Sequence, residues 1–69
     1  MKVGDLVSCK LFVGPYVDDI GLIVYITEKG YFESTVGIAW LGESRVSEHH
    51  LHAVKQDMAL GVLAVLRQS

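Results

Sequence analysis

Short runs of β-branched and aromatic residues, cut by turn-forming residues, restrict this chain to a small β fold. In residues 5–11, Val7, Cys9 and Leu11 alternate with Ser8 and Lys10, which gives one buried and one wet face. Residues 20–27 are rich in Ile, Val, Tyr and Thr, the types that suit a pleated surface. There Leu22, Val24 and Ile26 share one face, and Ile23, Tyr25 and Thr27 share the other. Both faces are apolar, so alternation does not choose the inner one. A third strand over residues 35–41 sets Val36, Ile38 and Trp40 against small Gly37 and Ala39. Gly42-Glu43 then reads as a tight turn into a short strand at 44–47. Residues 48–50 fit one turn of 3₁₀ helix, and 51–54 a brief fifth strand.

The connectors agree with this plan. Gly14-Pro15 and Asp18-Asp19 favour a turn, and Lys29-Gly30 opens a second loop. With 69 residues there is room for one core. Five short strands in so small a chain favour a closed barrel, because closure removes edges that would pair with other chains. The expected fold is therefore mainly β, a five-stranded barrel over residues 1–56, followed by a short C-terminal helix.

That helix is expected in an apolar tail at 57–69. Asp57 suits a helix N-cap and Arg67 a helix C-terminus, while Gly61, Val62 and Val65 weaken the helix. Met58, Leu60, Val62, Leu63, Val65 and Leu66 would occupy almost every side of it. A barrel covers one side only, so these six residues are the expected partner-binding surface, for a second copy or a larger protein. A tail folded over one barrel mouth, or a sixth strand, is the alternative.

Charge argues against a nucleic-acid partner. The net charge is −2, and the six basic residues are scattered, whereas phosphate backbones are gripped by clustered cations. The N-terminal residues carry no signal-peptide core, and the longest apolar run, 58–66, is too short to span a bilayer. The single cysteine excludes an intramolecular disulfide and fits a reducing cytoplasm.

The order of residues resembles SH3-like barrels of the KOW and Tudor type. The resemblance rests on Val3-Gly4-Asp5-Leu6-Val7, Gly21-Leu22-Ile23-Val24, and Val36-Gly37-Ile38-Ala39-Trp40-Leu41-Gly42. Residues 46–54 resemble the closing turn and last strand of that family. The likeness extends to small SH3-like proteins of tailed bacteriophages, which implies a module acting in the host cytoplasm or on the virion. It also implies candidate ligand-binding aromatics. Tyr16 beside Asp18 and Asp19 would match the acidic, aromatic groove of peptide-binding members, though their tyrosine-rich opening is missing here. Tyr25, Tyr31, Phe32 and Trp40 would supply rings to a Tudor-like cage, which works by cation–π attraction. KOW-like members imply nucleic-acid binding as the alternative function.

No complete catalytic set is visible, so a non-catalytic interaction or structural module without cofactors is expected. His50 and His52 would point to one side of a strand, a weak pair of metal ligands that matches no strong metal signature. A solvated turn is the favoured reading for residues 48–52. Cys9 sits at an inward strand position and is expected to be inert. Asp18-Asp19 lacks the remaining ligands of a calcium loop. Trp40 is expected to fill the core with its indole N–H at the rim.

Overall fold

The computed structural model describes residues 1–9, 20–42 and 45–69. Tyr16, Asp18 and Asp19 lie outside the described residues, as does the turn at Glu43. The elements run β1 (Leu6–Cys9), β2 (Ile20–Thr27), β3 (Thr35–Trp40), β4 (Val46–His50), α1 (Leu51–Ala59) and β5 (Leu63–Arg67). The strands form one antiparallel sheet in the order β4-β3-β2-β1-β5. The sheet is mainly a meander, and its last strand returns to pair with the first. Hydrogen bonding does not close it: β4 and β5 are its two edges. α1 packs against β3, β4 and β5 and so lies across the open side.

Three expectations are corrected. Residues 48–50 are strand rather than 3₁₀ turn, residues 51–54 are helix rather than strand, and residues 63–67 are strand rather than helix. The boundary expected after residue 56 therefore falls inside α1.

The helix ends where it does for a local reason. Gly61 takes φ 81°, a left-handed conformation that costs glycine little. The Gly61 N–H then donates to the Met58 carbonyl and the Val62 N–H to the Asp57 carbonyl, satisfying carbonyls that the helix leaves open. Asp57 is thus in the last turn of α1 and not at its start. At the other end His50 makes no side-chain cap, and the Leu51 N–H donates to the Ser34 carbonyl instead. Leu51, Val54 and Met58 lie on one helical face; the first two are buried and Met58 packs on the core.

Inside the sheet, Val7, Cys9, Ile23, Val36, Ile38, Trp40 and Leu63 join Leu51 and Val54 in one core. Burial of each large side chain contributes ~1.5–3 kcal/mol, which makes this cluster the main favourable term in so small a fold. Gly21 is there to admit Trp40 and Ile38: a Cβ at that position would stand 2.4 Å from Ile38 Cγ2 and 2.9 Å from Trp40 Cε3.

Two irregularities decide which residues face out. The register between β2 and β3 shifts between Ile23 and Tyr25, and that between β1 and β5 shifts between Leu6 and Val7. Val24 is the extra residue of the first bulge and Leu66 of the second, and both are exposed. The first shift turns Ile26 to the core with Ile23, and Tyr25 outward.

The N-terminal residues and Ser69 meet at Asp5. Its buried carboxylate accepts the Ser69 N–H and the Lys2 N–H, both at 2.9 Å. The Ser69 hydrogen bond holds this carboxyl below the usual carboxylate range, against the opposing effect of burial; the Lys2 N–H and nearby positive charge add to the lowering.

Candidate interaction surface

Outward-facing positions follow from the register, because residues directly opposite on antiparallel strands point to the same side. Val46, Ala39, Leu22 and Leu6 are neighbours in one row across β4, β3, β2 and β1. In the adjacent row Ile20 stands opposite Ser8, which in turn faces Ala64 of β5. Leu41, whose N–H donates to the Ile20 carbonyl, extends that row beyond β3. Leu22 is 38% exposed, Val46 45% and Leu41 80%. Together they make an apolar area, whose first row ends at Arg67 of β5, the partner of Leu6. The bulge residue Leu66, 53% exposed, flanks it beside Arg67. A hollow of about 300 Å³ opens at this side, lined by Leu6, Leu22 and Arg67 among others.

Tyr25 lies over Gly37, and its hydroxyl donates to Glu48 Oε2 on β4. That hydrogen bond pushes the Tyr25 hydroxyl up from its ordinary value, with burial and the carboxylate charge adding to it.

A second feature lies between the 28–34 loop and α1. Ser34 builds it: the buried Ser34 hydroxyl accepts the Lys29 N–H at 3.0 Å and donates to the Gly30 carbonyl. The Ser34 carbonyl receives α1 through Leu51. This joint leaves a groove of about 800 Å³ with Leu51, Tyr31, His52 and Ser34 in its wall and Glu28 and Lys55 beside them. Tyr31 stacks on His52 with ring centroids 5.2 Å apart, and Phe32 meets both rings edge-on. Tyr31 and Phe32 are 70% and 72% exposed. His52 Nδ1 is buried without a hydrogen-bond partner among the described residues.

The residues singled out in the sequence are dispersed among these features. Trp40 is in the core and Tyr25 lies over Gly37, so neither joins Tyr31 and Phe32 in a cage. His50 and His52 have ring centroids 5.6 Å apart, at the junction of β4 and α1. No group of three or more potential metal ligands occurs among the described residues. Of the six apolar tail residues, Leu63 is buried, while Met58, Val62 and Val65 pack on the core. Leu60 and Leu66 remain at the surface. The outer row of Leu22, Ala39 and Val46 was missed as a surface because unbulged alternation cannot show which face of β2 is inside. No described helix is long and apolar enough to cross a membrane. Comparison with family models, with curated proteins and with solved structures finds no match to this chain.

Proposed function

We propose that this chain is an SH3-like barrel acting as a non-catalytic protein-interaction module. It docks on another protein, a second copy or a larger chain, through the outer surface of its sheet. The barrel reading is supported by the strand order, by the return of β5 to β1, and by a helix that touches both sheet edges. A helix of nine residues spans ~13 Å, so edges that share it belong to a strongly curled sheet.

The observation that carries the docking reading is the apolar cluster of Ile20, Leu22, Ala39, Leu41 and Val46, bordered by Arg67. Exposed apolar residues scattered singly need no explanation, but a contiguous patch commonly marks association. The expected site thus moves from a helical tail to the sheet, with Leu66 as the tail's contribution to the patch.

The test is photo-crosslinking in the cell that makes the protein, with a photoreactive phenylalanine at position 22 or 46 and a control at Lys29. Discrete adducts from 22 and 46, absent from 29, are the expected result. Adducts only from 29, or none from the patch, would overturn the reading.

A further inference from the structure

The groove between the 28–34 loop and α1, about 800 Å³, shares no residue with the sheet patch. Its helical wall is one stripe. Leu51 and Lys55, and beside them His52 and Gln56, are spaced so that each pair stacks along the same face of α1. The opposite wall carries Glu28 and Tyr31. Leu51 is buried and supplies an apolar floor, whereas Glu28, Tyr31, Lys55 and Gln56 are exposed.

The two charges belong to different walls. Glu28 and Lys55 do not pair with each other, and neither has an ion-pair partner among the described residues. An acid and a base that line one groove without meeting are both left to an occupant, whose own charges must be arranged to match. Tyr31 adds an apolar contact. One face of its ring stacks on His52, with centroids 5.2 Å apart, yet the residue is 70% exposed. Exposed tyrosine offers a large contact with few torsions to freeze, which is why it is enriched where proteins meet. Phosphate backbones are disfavoured by Glu28 and by the net charge of −2. A small molecule is held by burying most of its surface, which a wall standing this far into solvent does not do.

We propose that this groove binds an extended peptide segment of a partner protein, with an apolar or aromatic residue on Leu51 and Tyr31 between a basic residue facing Glu28 and an acidic residue facing Lys55. The stripe from Leu51 to Gln56 rises ~7.5 Å, the length of about two to three extended residues, so the two charged residues of the peptide lie within a few positions of each other. The order of charge sets the specificity. The site is independent of the sheet patch, and either can fail without the other. Lys29 is not part of its lining, so a crosslinking control there reads the sheet alone.

The probe is a phage-displayed library of random nonapeptides, selected on the immobilised whole protein at low salt. Enriched peptides should carry a basic and an acidic residue a few positions apart, with an apolar or aromatic residue between them. A synthetic copy of the best sequence should lose affinity about tenfold on Tyr31→Ala and several-fold on Glu28→Lys or Lys55→Glu. Its binding should also shift the His52 ring signals in NMR of the native protein. The strongest arm exchanges both charges. The double variant Glu28→Lys, Lys55→Glu should prefer the same peptide with its own two charges exchanged, a gain that a misfolded chain could not show. The proposal is overturned by a library that yields no enrichment, or a consensus without the charge pair, a proline-rich one included. Binding that survives Tyr31→Ala, or a double variant that keeps the original preference, would overturn it as well.

Discussion

Replacing Gly37 by alanine tests the outer side of the sheet at its tightest point. An alanine Cβ there would stand 2.0 Å from Tyr25 Cε2 and 2.4 Å from Cδ2, so the ring must leave. Departure breaks the Tyr25–Glu48 hydrogen bond, which contributes about 1 kcal/mol, and uncovers part of the ring, for about another 1 kcal/mol. Against this, alanine is better than glycine inside a strand by about 0.5–1 kcal/mol. The net loss expected for Gly37→Ala is about 1 kcal/mol. In a Tyr25→Ala background there is no ring to displace, and the same change should stabilise by about 0.5–1 kcal/mol. The coupling between the two positions is then about 2 kcal/mol, read from urea denaturation followed by Trp40 fluorescence. A second readout is the Tyr25 hydroxyl. Its raised folded value means that this group's stabilisation is complete below about pH 10 and is lost as pH rises through the folded value. In Gly37→Ala the titration should return toward an ordinary tyrosine. If Gly37→Ala changed stability by the same amount with and without the ring, the reasoning would be refuted.

Three further outcomes are expected. Gly61→Ala should cost about 1 kcal/mol by chemical denaturation, and Gly61→Asn less, because the position is open in space and the penalty is purely that of a left-handed backbone. Asp5→Asn should flatten the acid limb of the stability curve. The carboxyl is held low in the fold, so its contribution is present above about pH 3.9 and lost as pH falls below that. Stability measured between pH 7 and pH 2 checks this. Ser34→Ala leaves the Lys29 N–H without its side-chain acceptor and should cost about 1–2 kcal/mol in thermal or urea unfolding.

The first three strands could be read from the sequence because β-branched residues and turn signals both mark them. The bulge in β2 could not. An extra residue such as Val24 shifts the phase of everything after it, and nothing in the composition of β2 announces it. The last third was misassigned because Asp57, a residue the helix dipole favours at a start, sits in the last turn of α1, and Gly61 was taken as a weakness inside a helix. In the fold Gly61 is the stop. Val62 and Val65, which argued against a helix, belong to the approach to β5 and to β5 itself. Leu51, Val54 and Met58 have helical spacing, but three contacts in nine residues are a faint signal beside a strand template. The aromatic groove was half legible. Tyr31 and Phe32 stood out as rings, whereas their meeting with His52 depends on Ser34 docking the loop onto α1.

The claim on which the functional reading rests is that the apolar part of the sheet's outer surface is covered by another protein where this chain works. Radical footprinting of those side chains, inside the producing cell and again on dilute purified protein, tests it most directly. Labelling of Leu22, Leu41 and Val46 should be much weaker in the cell, with Val3 and Leu60 labelled equally in both. Equal labelling of all five residues in the two settings would contradict the account.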